Sequence, residues 1–281
     1  MKLIADSGSS KTDWRLLYED NSIEQLKTRG INPYLISGKE LLKCLKEDFD
    51  GIDFPTIKDI YFYGAGCGNA ENKEKINSVF SDFFNCDSIY VEDDMLAAAR
   101  ASCGKDPGIS CILGTGANAC HFDGIDIQDR MVSFGYVLGD EGSGNYIGKT
   151  TLKAYLEDEM PHELAKKFKI TYPDINMEFT LEQIYHKPYP NRFLAQFFQF
   201  ALAHQRERFF FELISNAFQL FLEKSVLKFK NYEKLPIHFI GGVAFNANSI
   251  MRMVLSSNNL QAGNFMENPI AGLTLYHKNQ H

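Results

Sequence analysis

Two halves of the chain open with the same pattern of apolar and polar positions. Residues 2–5 form a short apolar strand that enters the polar stretch Asp6-Ser7-Gly8-Ser9-Ser10-Lys11-Thr12-Asp13 and leaves as a second strand over 14–18. Residues 109–113 enter Gly114-Thr115-Gly116 and leave as an alternating run over 117–122. Both are the pattern of a β-hairpin. After the first hairpin the spacing predicts a strand over 23–28 and a helix capped by Ser37, with Glu40 three residues on and Leu41, Leu42, Leu45 and Phe49 at helical intervals. A strand over 57–63, a helix over 70–84 and a strand over 88–91 follow, and Glu92-Asp93-Asp94 then lead into an alanine-rich helix. Gly104-Lys105-Asp106-Pro107-Gly108 punctuates the chain, and the boundary between two lobes is placed there.

The second hairpin is followed by a short meander over 124–132 and by a loop, 134–144, that sets Asp140 and Glu141 among glycines. A helix over 145–155, shorter helical pieces over 160–185 and two phenylalanine-rich helical segments over 192–229 come next. A buried strand over 235–240 turns at Gly241-Gly242 into a helix reaching about residue 256. Asn268-Pro269-Ile270 opens a last helix with proline in its first turn, expected to complete the first lobe. The lobes are therefore expected at 1–106 with 268–281, and at 107–267. The phenylalanine stripe reads as packing, in the core or in a homodimer interface. Polar residues such as Gln196, Gln199, His204 and Arg206 deny it the uninterrupted length of a membrane span.

Glycines flanking Thr115, and the serine- and glycine-rich turn after Asp6, let a backbone approach an anion closely and present N–H groups and hydroxyls to phosphate. One such turn is commonplace. Two of them opening the two halves of a chain read as a nucleotide clamp and predict a two-lobed ATP-dependent enzyme. Two further glycine motifs are set aside. Gly64-Ala65-Gly66-Cys67-Gly68-Asn69 lacks the third glycine of a dinucleotide fingerprint, since Asn69 occupies its place. Gly148-Lys149-Thr150 resembles the end of a P-loop, but Ser143 stands where the partner glycine belongs, so Lys149 reads as a solvated helix residue.

In a doubly wound sheet the carboxyl ends of strands face the ligand, so one acid of the 92–94 trio is expected there and the others at the helix cap. Asn32, held extended before Pro33, is a candidate ligand contact or a simple turn residue. Asp140 and Glu141 suit a polyhydroxyl ligand because carboxylates accept hydrogen bonds from neighbouring hydroxyls. The paired Gly241-Gly242 lets a flat ring or ribose lie on the backbone.

A chain of 281 residues, 44% of them hydrophobic, is long enough for two domains with cores of their own. Its formal net charge of −7 and lack of a basic tract argue against nucleic acid as a partner. The first apolar run is too short for a secretory segment and is cut by Asp6, so a cytoplasmic location is expected. The six cysteines show no C-x-x-C or zinc spacing and read as small buried apolar residues.

Together these residues resemble the actin-like ATPase and sugar kinase superfamily, and within it the BadF/BadG/BcrA/BcrD-type ATPases that include N-acetylglucosamine kinases. Asp6 to Thr12 looks like the first phosphate loop, Leu113 to Asn118 the second, and Ile240-Gly241-Gly242-Val243 the adenosine loop. Gly139-Asp140-Glu141-Gly142-Ser143 is similar to the segment that contacts the sugar in amino-sugar kinases. The resemblance implies an α/β, two-lobed, ribonuclease H-like fold, each lobe a mixed sheet flanked by helices, with the nucleotide in the interdomain cleft. It implies Asp94 as the catalytic base. Asp6, Gly8, Ser9, Ser10, Lys11, Thr12, Gly114, Thr115, Gly116, Gly241, Gly242 and Asn246 would bind ATP, with Asp6 holding Mg2+ through water.

Asn32, Asn118, Phe134, Gly135, Asp140 and Glu141 would then bind an amino sugar, N-acetylglucosamine first among the candidates. Phe134 falls near the place of a sugar-stacking tryptophan in the mammalian enzyme. Two alternatives share the fold: an ATP-driven activator of a radical dehydratase with a bridging iron–sulfur cluster, and a non-catalytic sugar-sensing or chaperone-like ATPase-fold protein.

Overall fold

The computed structural model describes residues 1–8, 10–52, 54 and 56–278. The chain divides into two compact units, one of Met1–Asp106, Gly124–Asp126 and Asn268–His281, the other of Pro107–Asp123 and Ile127–Glu267.

In the first unit β1 (Lys2–Ser7), β2 (Lys11–Leu17) and β3 (Ile23–Arg29) form an antiparallel meander, while β4 (Ile57–Gly64) and β5 (Cys86–Asp93) add in parallel on the other side of β1. The order is β3-β2-β1-β4-β5. Leu3, Ile4 and Ala5 are buried on both faces, as a central strand requires. Two helices, α1 (Gly38–Asp48) and α2 (Ala70–Phe83), close one face over Trp14, whose ring lies 5.3 Å from Phe49 and 6.0 Å from Phe80. Ser37 and Glu40 form the expected capping box of α1. Helix α3 (Asp94–Cys103) and the final helix, Ile270–Lys278, pack together on the unit through Gly272, where a Cβ would come within 2.4 Å of the Ala101 carbonyl.

The second unit repeats the plan. Strands β6 (Gly108–Leu113), β7 (Ala117–Phe122) and β8 (Ile127–Arg130) form the meander, and β9 (Ile237–Ile240) and β10 (Ala262–Met266) add in parallel to β6. The order β10-β9-β6-β7-β8 is the first sheet read from the other end. Each unit is thus a mixed sheet flanked by helices, the α/β architecture expected above.

The helices here are α4 (Gly135–Leu138), α5 (Gly144–Leu156), α6 (His162–Thr171), α7 (Met177–Tyr185), α8 (Pro190–Ala195), α9 (Phe198–Ala203), α10 (Arg208–Lys224), α11 (Gly242–Asn246) and α12 (Asn248–Ser257), with α13 (Ile270–Lys278) returning to the first unit. Phe197, Phe198, Phe200, Phe210, Phe218 and Phe221 are buried in this unit's core, so the phenylalanine stripe is packing. No helix of the described residues is long and apolar enough to cross a membrane.

Several elements differ from the expected pattern. Asp6, Ser7, Lys11, Thr12 and Asp13 are paired strand residues, because the ladder runs through the backbone and the Ser7 and Thr12 side chains bond to each other. Strand β10 escapes a search for alternation because Gly263 interrupts it, and a Cβ there would meet the His238 ring at 2.7 Å. Loop 134–144 contains the short α4, none of whose residues is buried. Lys149 is half-buried, donating to the Tyr136 carbonyl at 3.2 Å beneath the Tyr146 ring, so it is not simply solvated. Gly148 is where α5 meets α8, and a Cβ would lie 2.0 Å from the Leu194 carbonyl.

The P-loop-like Gly148-Lys149-Thr150 is therefore explained by helix packing. Gly148→Ala should cost roughly 1–3 kcal/mol by overpacking, read as a lowered urea midpoint with an unchanged m-value. An unchanged midpoint would contradict the close approach of α5 and α8.

Candidate active site

In the first unit the β1–β2 hairpin sorts its polar residues onto two faces, since residues directly opposite in an antiparallel ladder share a face and neighbours along a strand do not. Ser7 and Thr12 point to one side. Their hydroxyls lie 2.7 Å apart, Ser7 Oγ accepts the Ile31 N–H at 2.9 Å, and Thr12 donates to the Arg29 carbonyl at 3.0 Å. Both are buried, so these hydroxyls fasten the hairpin to the segment that carries Asn32. The turn closes with Gly8 N–H donating to the Lys11 carbonyl at 3.0 Å, and Gly8 and Ser10 are exposed on it. Ser9, assigned to the same turn from the sequence, lies outside the described residues.

Asp6 and Asp13 stand across from each other on the opposite face. Burial first, then the Asp13 and Asp94 carboxylates, push Asp6 up to about 7 from its ordinary 3.8, while Lys11 pulls it down. Asp94 is therefore within electrostatic reach of Asp6. The acidic trio at the end of β5 is divided by role. Glu92 pairs with Lys73, Asp93 caps α3 by accepting the Leu96 N–H at 2.8 Å, and Asp94 is the first residue of the helix.

Asn32 accepts the Tyr34 N–H at 3.0 Å through Oδ1. Gly66, at φ +88°, lies so close that a Cβ would come within 2.6 Å of the same oxygen. Asn72, on α2, donates to the Gly66 carbonyl at 2.8 Å. The glycine-rich turn after β4 thus cradles Asn32, a contact invisible in the sequence because 34 residues separate the two.

In the second unit the Gly114-Thr115-Gly116 loop is held by the start of α5. Gly144 N–H donates to the Gly114 carbonyl at 2.8 Å, and Asn145 donates to the Thr115 carbonyl from its backbone at 3.1 Å and its side chain at 2.6 Å. In a trans peptide the C=O and the following N–H point in opposite directions. With both carbonyls turned toward α5, the N–H groups of Thr115 and Gly116 are turned away from it. They sit beside the exposed Thr115 hydroxyl, so the loop presents hydrogen-bond donors on the side away from α5.

Asp140 supports this loop. It is buried, sits at φ +60°, accepts the Ala117 N–H at 3.3 Å and accepts from Asn145 Nδ2 at 2.9 Å. A Cβ on Gly116 would approach its Oδ2 at 3.0 Å. Sequence reasoning missed Asn145, whose only signal was its place one residue into a helix after a glycine-rich loop.

Gly241, at φ +114°, completes the cluster, since any Cβ there would lie 2.4 Å from the Leu113 carbonyl and 3.1 Å from the Gly114 nitrogen. Gly241-Gly242 therefore adjoins the Gly114-Thr115-Gly116 loop, and Asn246, one helical turn on, is exposed with its amide donating to the Gly242 carbonyl at 2.7 Å. Glu141 is half-buried, and Asn118 accepts the Ala119 N–H at 2.9 Å. Phe134 is 64% exposed and precedes Gly135, which starts α4 at φ +67°. Cys67, Cys103, Cys111 and Cys120 are buried and Cys44 and Cys86 are half-buried.

Two sheets of identical order, each opening on a polar hairpin, define an actin-like ATPase or sugar kinase fold. A glucokinase of the ROK family from Streptomyces griseus, solved with glucose and AMPPNP, shares it with a TM-score of 0.54 at 12% identity, covering 99% of this chain and 98% of that one. The chain belongs to the family of N-acetylglucosamine kinase-like proteins of the BadF/BadG type. It is 40% identical to a protein of Porphyromonas gingivalis provisionally named an N-acetylglucosamine kinase, over the whole of both chains, with a TM-score of 0.91. It is 26% identical over 159 residues to an N-acetylmuramic acid/N-acetylglucosamine kinase of Clostridium acetobutylicum, a match covering 54% of this chain and about half, 52%, of that relative. No protein-family model matches the chain.

The raised Asp6 gives a pH signature. Its folded-state pKa of about 7 lies above the ordinary 3.8, so its contribution to stability is full below the lower value and lost as pH rises through the higher. Asp6→Asn removes that loss. In buffer free of nucleotide and magnesium, the variant should gain on the wild type between pH 4 and pH 8, reaching on the order of 2–4 kcal/mol. Parallel stability curves would show that Asp6 is not held in this state.

Proposed function

We propose that the protein is a kinase that transfers the γ-phosphoryl group of ATP to a hydroxyl of an amino sugar, with N-acetylglucosamine as the best-fitting acceptor. The observation that carries this reading is full-length kinship to an N-acetylglucosamine kinase-like protein at 40% identity, in a chain whose acidic groups Asp6 and Asp94 influence each other across one sheet.

Phosphoryl transfer asks a protein mainly for positioning and charge neutralisation. The N–H groups of Thr115 and Gly116, the Thr115 hydroxyl, and the turn residues Gly8 and Ser10 with Lys11 bind the nucleotide phosphates. Thr12 serves by anchoring that turn. Gly241, Gly242 and Asn246 bind the adenosine. Asp94 accepts the proton of the attacking sugar hydroxyl, a contribution typically on the order of 100- to 10,000-fold.

Magnesium fits the donor chemistry of the first unit, where the Asp6 carboxylate stands beside two further acids and is relieved by an added cation. Asp6 would hold it through water, and it would supply charge neutralisation on the phosphates. On the sugar, Asn32 and Asn118 offer amides, Glu141 accepts hydroxyl hydrogen bonds, and Phe134 with Gly135 presents an apolar face to the ring or the N-acetyl methyl group. Asp140 acts by bracing the 114–117 loop, next to Asn118.

Magnesium-dependent ADP release, measured with a panel of amino sugars and plain hexoses, tests this reading. N-acetylglucosamine should stimulate release, and Asp94→Asn should lower kcat by roughly 100-fold or more while ATP still binds. Normal ATP binding with no stimulation by any sugar would overturn the proposal.

A further inference from the structure

Asp13 has no part in the roles above, yet its surroundings are unusual for a strand residue. It is only 5% exposed and stands across the ladder from Asp6. Lys11, two residues before it on β2, shares its face. Lys11 Nζ lies 2.9 Å from Asp13 Oδ2, and Lys27, opposite Asp13 on β3, lies 3.8 Å from Oδ1. Asp6, opposite Asp13 in the ladder, is on that face too, so the Lys11–Asp13 ion pair lies on the face of the hairpin that carries Asp6.

A buried carboxylate costs desolvation, and an apolar residue of similar shape generally serves a sheet as well or better. Lys27 is largely exposed and at the limit of pairing distance, so it offsets little of that cost. The close partner is Lys11, whose four-carbon stem would otherwise sample many rotamers. We infer that Asp13 is a positioning residue that fixes the Lys11 ammonium on the Asp6 face of the hairpin, so that the turn presents an ordered cation to nucleotide phosphate. This rests on the proposed function only in that the β1–β2 turn binds phosphate.

Two consequences of neutralising Asp13 have opposite signs, which makes the inference testable. Through space, removing a negative charge near a polyphosphate tightens binding. Releasing Lys11 weakens it. The dissociation constants of ATP, and of adenosine as a phosphate-free control, are measured calorimetrically in magnesium buffer for the wild type, Asp13→Asn, Asp13→Ser, Lys11→Met and the Asp13→Asn/Lys11→Met double variant.

Both Asp13 variants should bind ATP about fivefold to tenfold more weakly and adenosine unchanged, with less than about a twofold further loss when Lys11 is already methionine. Tighter or unchanged ATP binding, an equal loss of adenosine affinity, or a fully additive double variant would overturn the inference. Wild-type ATP affinity in Lys11→Met would overturn it as well and remove the phosphate role of Lys11. Sugar-stimulated ADP release by that same variant would then show whether the kinase reading stands without it.

Discussion

The obligation of every buried peptide group to find a hydrogen-bond partner shapes both halves of this protein. At the second hairpin, the first N–H groups of α5 lack intrahelical acceptors, and the loop carbonyls of Gly114 and Thr115 supply them. Satisfying the helix end turns the N–H groups of Thr115 and Gly116 the other way, so a surface of hydrogen-bond donors arises as the reverse side of a helix cap. Asp140 and Asn145 then brace the loop from beneath, and Gly241 can approach it only because it has no side chain. At the first hairpin the buried hydroxyls of Ser7 and Thr12 play the bracing part, which leaves Asp6, Lys11 and Asp13 on the other face. The same sheet order therefore serves two different polar surfaces, one built of backbone N–H groups and one of charged side chains.

This division explains what was legible in the sequence. Strands β1, β2, β6, β7 and β9 and the helices of the first unit announce themselves by apolar spacing, capping residues and glycine punctuation. The repeated hairpin points to two similar lobes, and the resemblance to the actin-like ATPase superfamily implies a mixed sheet in each. What stayed hidden depends on contacts between distant residues. Strand β10 is broken by a glycine that exists to clear His238. Asn32 is cradled by Gly66, and Asn145 ties a helix to a loop 30 positions earlier. No local pattern encodes such pairings.

The acidic trio is an instructive intermediate case. Composition and the end of a strand located it, but only the structure divides its members, with Glu92 paired to Lys73, Asp93 capping α3 and Asp94 opening the helix. Likewise the resemblance implies that Asp140 contacts a sugar, while its buried carboxylate accepts hydrogen bonds from Ala117 and Asn145. An acid in a glycine-rich loop carries the same sequence signal whether it touches ligand or holds the loop that does.

The central claim is that phosphate leaves ATP for a sugar hydroxyl rather than for water. Incubating the protein with γ-labelled ATP, magnesium and N-acetylglucosamine, and separating sugar phosphate from inorganic phosphate, tests it most directly. The account predicts that the label appears in the sugar phosphate in step with ADP. Label found only as inorganic phosphate, at a rate indifferent to the sugar, would contradict it.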